Sequence, residues 1–455
     1  MQQKWYNATE IQLDGNVAYF VSETIEVNRL SALAFFAAGE PFKGERFFWQ
    51  NRAQTVTLVG LGYAYTIKND AGEARFDAVE NEWKQLTANL PKQHVQPLLF
   101  GGFAFDPARN LQQWSNLPHS IFALATYQLV MKNDTCYVTI HYIAHDKNYE
   151  QAFNDCRKQR DELIHAAQVK EVRTYEQPHV MNVTEPGKEQ YLQSIANVTQ
   201  LIQQQQAKKV VIARSLAITF DDEPTSTQVL SQVKHQQPES YLFGFEQDGA
   251  IFFGASPERL VKVENGQAYS SCVAGSIRRG KTAEEDEQLG NELLNDDKNR
   301  GEHHYVVEMI TSTFKQACNE VQVPKGPKLL KIRDIQHLFT PVEGKLKRGA
   351  TILQLVKSLH PTPALGGVPR EAAMDIIRRY ETMDRGLYAA PIGWLDAEGN
   401  GEFAVAIRSA LLKDNQAYLY AGGGIVADST PQSEYEETLV KFRPMLRALG
   451  GQVHE

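Results

Sequence analysis

Long runs of apolar and β-branched residues, interrupted by short turn signals, recur along the chain. In the first half, 55–76 and 121–143 each contain an Asn-Asp turn signal. In the second half, 241–276 is divided by the turns QDG and ENG, and 403–426 is a further apolar run. Runs of this kind joined by tight turns are typical of antiparallel strand pairs. The pattern therefore predicts antiparallel sheets in both halves of the chain.

Helical segments are interspersed irregularly among these strand pairs. Helical periodicity and high charge mark 147–168, and a long helix or a pair of helices is expected at about 283–320. This order of elements favours an α+β fold over a doubly wound one. The polar stretch 175–186 is the best candidate for a junction. We expect a strand-rich half, 1–180, packed together with a second region, 181–455.

Composition narrows the class of protein. The 455 residues carry a formal net charge of −8 and contain no basic run, which argues against a nucleic-acid partner. The N-terminus lacks the apolar core of a signal peptide and no apolar run approaches membrane length, so we expect no membrane association. The four cysteines are scattered without a CxxC pair, as in proteins of a reducing compartment. We therefore expect a cytoplasmic protein.

The stretch TPQSEYEETLVK, 430–441, concentrates three glutamates in one predicted helical turn. Thr-Pro at its start is typical of an N-cap followed by the first helical residue. At about 100° per residue, Glu434, Glu437 and Lys441 share one face, whereas Glu436 points elsewhere. Acids at a helix start are usually solvated beside the positive end of the dipole. A solvated face and a metal-binding or catalytic face both remain possible at this point.

A lysine and a glutamate near predicted strand ends are further candidates for chemistry. In KKVVIAR, alternation places Lys209 on one face of a strand and Lys208 on the other. In GASPERL, Glu258 lies in a loop directly after an apolar strand. A lysine at a strand start and a loop carboxylate are both usually solvated. Neither residue identifies a site by itself.

Three more features of the second half could bind charge. Glu302 shares a helix face with largely apolar residues, which is unusual because an unpaired buried charge is costly. The run AGGGIVADS, 421–429, predicts a turn whose N–H groups could hold an anion. Arg408, expected within the preceding strand, could clamp a carboxylate. His303 and His304 match no zinc motif and are expected on the helix surface.

Several of these stretches, taken in order, resemble the chorismate-utilising enzymes, and within them most closely the isochorismate synthases. The resemblance covers about 184–449, whereas 1–180 matches only in being rich in strands. It rests on these motifs: SPERLVKV, AGSIRRGKTAEED, LLNDDKNRGEHHYVV, HPTPALGGVP, DRGLYAAPIGWLDAEGNGEFAVAIRSA and AGGGIVADSTPQSEYEETLVK. It implies an α+β fold like that of anthranilate synthase component I, with large antiparallel sheets packed in two layers and flanking helices.

The resemblance also implies roles for individual residues. Lys209 would be the general base that activates water, and Glu258 the general acid. The implied cofactor is Mg²⁺, with Glu302, Glu434 and Glu437 as its ligands. The implied contacts to chorismate are Arg408, Gly422, Gly424, Lys441, Tyr388, His360, Ala364 and Leu365.

The implied reaction converts chorismate to isochorismate by adding water at C2 as the C4 hydroxyl leaves. The length of the chain is closer to that of the menaquinone-pathway enzymes than to that of the siderophore-pathway enzymes. The sequence alone leaves both pathways open. Salicylate synthase, which shares the lysine and the glutamates and then eliminates pyruvate, is the main alternative, although HPTPALGG favours the isochorismate enzyme. Anthranilate synthases take ammonia from a glutaminase partner and typically lack the lysine, so no glutaminase partner is expected. A non-enzymatic alternative is a ligand-binding sensor on the same scaffold. Such a sensor would not need the base, the acid and the metal ligands together.

Overall fold

The computed structural model describes residues 4–13, 15–109, 112–169, 177–333 and 335–451. Its helices are α1 (Ala32–Ala38), α2 (Arg75–Thr87), α3 (Glu150–Val169), α4 (Lys188–Gln203), α5 (Ser226–Gln236), α6 (Ala283–Asn295), α7 (Asp297–Ala317), α8 (Ile352–Leu359), α9 (Arg370–Tyr380) and α10 (Pro431–Leu449).

The strands of the first half are β1 (Lys4–Leu13), β2 (Asn16–Glu26), β3 (Arg46–Gln50), β4 (Val56–Asn69), β5 (Leu98–Phe103), β6 (Ser120–Lys132) and β7 (Thr135–Ala144). Those that follow are β8 (Val180–Thr184), β9 (Lys209–Phe220), β10 (Tyr241–Gln247), β11 (Ala250–Ser256), β12 (Arg259–Glu264), β13 (Gln267–Arg278) and β14 (Cys318–Gln322). The last are β15 (Lys328–Lys331), β16 (Ile335–Leu346), β17 (Gly367–Val368), β18 (Pro391–Asp396), β19 (Gly401–Val405), β20 (Ser409–Lys413) and β21 (Gln416–Ile425).

One continuous network of antiparallel pairs joins the two halves of the chain. β3 pairs with β10, and β5 pairs with β18. β10 continues through β11, β20 and β21 to β9, the strand that carries the predicted base. The boundary expected near residue 180 stays a prediction, and 175–176 of the proposed junction lie outside the described residues.

The sheet folds back on itself around an apolar interior. The rings of Phe47 on β3 and Phe100 on β5 stack with their centroids 4.8 Å apart. In the hydrogen-bonded order of the sheet, β4 and β6 lie between β3 and β5. A flat sheet with this order would place β3 and β5 about 14 Å apart. Phe48 points the other way, into a second apolar cluster covered by α1, α3, α5 and α10. The predicted α+β fold with large antiparallel sheets is thus confirmed.

Most predicted elements are present, with two differences. The hairpin at Asn133–Asp134, the helix in 147–168 and the pair α6–α7 are where the pattern placed them. The run 55–76 is not a hairpin, because after β4 the chain turns into α2. The run 241–276 is two separate hairpins rather than a continuous meander, since β11 pairs onward with β20 and β12 with β19. None of the helices in the described ranges combines the length and apolarity needed to cross a bilayer.

Candidate active site

A cavity of about 230 Å³ lies where β9, β21, α7 and α10 meet the loop after β11. Lys209 begins β9 and is only 2% exposed. Its ammonium group donates to Oε1 of Glu302, which lines the cavity, as does Val211 two residues along the same strand. Lys208 is exposed, with its ammonium 5.7 Å from the ring centroid of Tyr305. The predicted alternation is confirmed, so the two adjacent lysines point in opposite directions.

The three glycines of AGGG do not form the predicted turn. Gly422, Gly423 and Gly424 lie inside β21 and pair in register with β9. Glycine is needed there for space: a Cβ on Gly424 would lie 2.5 Å from Cε of Lys209. The prediction of a turn here is therefore wrong, because the three glycines are extended and pair with β9 along one edge, whereas β20 pairs with β21 only as far as Leu419. Gly422 and Gly424 nevertheless line the cavity.

Arg408 lies outside the strand in which it was expected. It falls in the short connection between β19 and β20, with a φ of 53° that is strained for a side-chain-bearing residue. Its carbonyl oxygen accepts a hydrogen bond from the backbone N–H of Ala255, which holds this turn against β11. The residue is 8% exposed and lines the cavity. A guanidinium at this position can bind a carboxylate through two parallel hydrogen bonds.

Glu258 lies in the loop between β11 and β12, as predicted, and it is buried with 4% exposure. Burial raises its pKa from 4.5 to about 8, although Arg408 and Lys209 act in the opposite direction. The carboxyl therefore holds a proton at neutral pH. A protonated carboxylic acid lining a cavity is suited to general acid catalysis.

Helix α7 supplies Glu302 to the cavity and packs the neighbouring histidine inward. His303 is 3% exposed, with Nε2 2.8 Å from Oγ1 of Thr340 and Nδ1 3.2 Å from the carbonyl oxygen of Ala274. The prediction of a surface position is therefore wrong for His303, because its ring bridges β13 and β16. His304 is exposed, as predicted.

Helix α10 presents its acidic face to the same cavity. Thr430 caps the helix by accepting a hydrogen bond from the backbone N–H of Ser433, as predicted. Glu434, Glu437 and Lys441 line the cavity, whereas Glu436 is exposed and accepts a hydrogen bond from Gln432.

The two carboxylates of this face differ in environment. Burial raises the pKa of Glu434, whose Oε1 accepts a 2.6 Å hydrogen bond from Ser429. Lys441 lowers the pKa of Glu437 through an ion pair, and also donates to the carbonyl oxygen of Gly422 at 2.8 Å. The side chain of Glu437 remains 47% exposed.

The contacts of these carboxylates show whether they are suited to bind a cation. Oε2 of Glu434 is buried and finds no hydrogen-bond partner among the described residues. A Cβ on Gly423 would lie 2.8 Å from this oxygen, so the glycine keeps the space beside it open. In the described part of the chain, no three His, Cys, Asp or Glu side chains are already gathered as metal ligands. Three carboxylates on one cavity, one with an unpartnered oxygen, nevertheless fit the chemistry of a hard cation.

Three of the remaining predicted contacts line the cavity and one does not. Tyr388, Ala364 and Leu365 are among its lining residues. His360 is buried behind them, with Nε2 2.9 Å from the carbonyl oxygen of Phe105, and it lines a different cavity. The expectation that His360 contacts the substrate is therefore corrected: its ring packs against Phe105 instead.

Several lining residues were missed by the sequence interpretation, among them Arg385 and His337. Arg385 is 3% exposed and pairs with Glu381, while also donating to the carbonyl oxygens of Leu365 and Val211. Its position within the DRGLYAA motif was the signal that could have identified it. His337 lies on β16, and burial lowers its pKa to about 3, so the ring is neutral. Only the pairing of β16 with β13 brings it here, which no local pattern reveals.

Comparison with known proteins agrees with this geometry. Residues 7–450 match the family described as chorismate binding enzyme, and the chain belongs to that family. The isochorismate synthase MenF of Bacillus subtilis (strain 168) is 41% identical over 450 residues, covering 96% of this chain and 95% of the relative. The resemblance stated from the motifs is thereby confirmed.

Two solved structures share the fold. The menaquinone-specific isochorismate synthase MenF from Escherichia coli superposes with a TM-score of 0.79 at 24% identity, covering 94% of each chain. Anthranilate synthase component I from Streptococcus pneumoniae TIGR4 gives a TM-score of 0.70 at 22% identity, covering 86% of this chain and 92% of that one. The predicted likeness to the anthranilate synthase component I fold is confirmed.

Proposed function

We propose that the protein is an isochorismate synthase, an isomerase that converts chorismate to isochorismate, and that it acts in menaquinone biosynthesis. Family membership and the 41% identical relative support the activity. The designation MenF, carried by that relative and by the menaquinone-specific enzyme of Escherichia coli, supports the pathway.

The observation that carries this proposal is a buried acid that lines the cavity together with a buried lysine that lies directly behind two other lining residues, Glu302 and Gly424. Glu258, with a pKa of about 8, keeps its proton at neutral pH, and Lys209 is held at the cavity wall by Glu302. Exchange of hydroxyl positions on a ring needs a base for the attacking water and an acid for the departing group. These two residues supply that combination.

The step balances with these two groups alone. Lys209 can act as the base only after its ammonium group has given up a proton to solvent; the resulting amine takes a proton from water as the water oxygen bonds to C2 of the ring. The diene shifts, the C4–O bond breaks, and Glu258 gives its proton to the departing hydroxyl, which leaves as water. The base ends protonated and the acid deprotonated, so one proton must return from Lys209 to Glu258 before the next turnover.

Substrate binding must overcome a conflict of charge, because chorismate is a dianion and the cavity is lined by glutamates. Arg408 and Lys441 provide fixed positive charge, and Tyr388 provides a hydroxyl. Glu302, Glu434 and Glu437 would hold Mg²⁺, which supplies positive charge for a substrate carboxylate when bound.

We extend this proposal to the binding partners and the cellular location of the protein. Chorismate is the partner, taken up without a glutaminase subunit, because water rather than ammonia is the nucleophile. The net charge of −8 disfavours nucleic acid, and four cysteines without a CxxC pair suit a cytoplasmic enzyme.

The test is chromatographic analysis of the products formed from chorismate with Mg²⁺. Isochorismate with little pyruvate is the expected result, and glutamine or ammonium salts should yield no aminated ring. Salicylate and pyruvate forming at a comparable rate would instead identify a salicylate synthase. Chorismate binding without turnover would identify a sensor and overturn the proposal.

A further inference from the structure

A second cavity, of about 640 Å³, lies behind the wall of the candidate active site, and we call it the α2/α9 cavity. The segment 358–365 separates the two cavities: Ser358, His360 and Pro361 face the α2/α9 cavity, whereas Ala364 and Leu365 face the candidate active site. Its volume is in the range of small-molecule sites.

A buried guanidinium without a close carboxylate lines this cavity. Arg75 is 2% exposed and donates to the carbonyl oxygens of Gly72 and Ala104. Its Nε has no hydrogen-bond partner in the described ranges, and its ion pair is with the exposed Glu73 at 3.9 Å. A buried cation is stable only when it is well paired, so this arrangement favours an additional anion.

Arg370, an exposed residue at the start of α9, supplies a second guanidinium to the cavity. It donates to the carbonyl oxygens of Ser358 at 3.0 Å and Pro361 at 3.3 Å, which are neutral acceptors. The other arginine of the cavity is already neutralised, because Arg378 forms two hydrogen bonds, at 2.8 and 2.9 Å, with Asp106. Lys357, which also lines the cavity, is paired with Asp77 at 2.7 Å, so Arg75 and Arg370 are the cations left to bind a ligand.

Two helix N-termini add to the positive potential. α2 begins at Arg75 and α9 begins at Arg370, and both first residues line the cavity. Their N-cap residues, Ala74 and Pro369, make no side-chain capping hydrogen bond. The first-turn N–H groups of a helix attract anions, most strongly where no side chain caps them. Phe76, Phe105 and Met374 contribute apolar surface. The lining also contains four carboxylates, Glu73, Asp106, Glu371 and Asp375, of which Asp106 and Asp375 pair with Arg378.

We propose that the α2/α9 cavity binds a small organic carboxylate, with Arg75 and Arg370 holding the carboxylate and the apolar residues holding its body. Arg370 also fixes two carbonyl groups of 358–365. A ligand bound there would therefore contact the segment that also carries Ala364 and Leu365 to the candidate active site.

Benzoate, a carboxylate on a small apolar ring, is a suitable probe, and neutral benzamide is its matched control. Calorimetric titration of the full chain should give saturable benzoate binding, weakened at least about tenfold in Arg370→Gln. Arg379→Gln is the matched control, because it removes an exposed arginine of the same helix that does not line the cavity. It should leave the affinity unchanged, as should Arg408→Gln, which alters the candidate active site.

The result that overturns the proposal can be separated from failure of the proposed enzyme activity, because binding is measured without turnover. Loss of benzoate binding in Arg408→Gln but not in Arg370→Gln would place the ligand in the candidate active site. Equal binding of benzamide, or no saturable binding up to roughly 20 mM, would remove the anion site altogether. Arg75→Lys, which keeps the charge and loses the planar donor fork, should also weaken binding if the protein folds normally.

Discussion

The ammonium group of Lys209 donates to Oε1 of Glu302, although the two residues lie 93 positions apart in the chain. The candidate base on β9 is thus held by a candidate metal ligand on α7. A cation bound to Glu302 would compete with the lysine for this carboxylate. The base and the metal site are therefore linked through one side chain.

Replacing Lys209 by Gln should remove the base while keeping its size. We expect turnover to fall about 10²–10⁴-fold, the usual cost of losing a general base. Magnesium affinity, measured by calorimetry, should be unchanged or higher, because Glu302 loses its ammonium competitor. Turnover close to that of the wild type would exclude the lysine from the mechanism.

Lys208→Gln is the matched control for this variant. Lys208 is adjacent, has the same charge and points toward Tyr305 outside the cavity. Most activity should remain. An equal loss in both variants would indicate a general effect of charge or folding.

Removing a carboxylate from the inner face of α10 should abolish metal-dependent activity. In Glu437→Ala we expect turnover to be lost and the calorimetric signal of magnesium binding to weaken, while circular dichroism stays that of a folded protein. Glu436→Ala, which removes an exposed carboxylate of the same helix, should change neither measurement. Full activity of the wild type in excess chelator would contradict the assignment of a metal site.

Protonation of Glu258 should make stability depend on pH with a defined sign. Between pH 4.5 and about 8 the folded protein keeps a proton on Glu258 that the unfolded chain releases. The free energy of unfolding should therefore fall as pH rises through this window. Glu258→Gln has no such proton, so its Tm relative to the wild type should increase from pH 5 to pH 8. Thermal unfolding curves that shift in parallel would contradict the raised pKa.

A methyl group added at Gly424 should displace the candidate base. Its Cβ would lie 2.5 Å from Cε of Lys209, closer than carbon atoms can approach without movement. We expect Gly424→Ala to lower kcat with little loss of thermal stability, because the lysine side chain can rotate away. Gly422→Ala, whose Cβ would first meet the backbone oxygen of Ile212 at 3.1 Å, serves for comparison. It should leave Lys209 in place and retain more activity.

Local patterns predicted the parts of the site that depend on local structure. The alternation that directs Lys209 inward, the loop that carries Glu258 and the Thr430 cap that orients the acidic face each follow from a few neighbouring residues. The motifs then supplied the family, and with it the roles.

Features that depend on distant partners could not be predicted in this way. A run of three glycines usually signals a turn, but here Gly423 and Gly424 make room for Glu434 and Lys209. His303 looked like a surface residue because its partners, Thr340 and the carbonyl of Ala274, belong to other strands.

The pairings β3–β10 and β5–β18 have a consequence for how the chain can fold. Trp394 lies opposite Phe100 in the second pairing, so residues ~290 positions apart must meet, and such high contact order predicts slow folding. A fragment ending near residue 180 would leave the outer edges of β3 and β5 without their partner strands. Unpaired edges recruit other chains, so such a fragment should aggregate rather than form a stable domain.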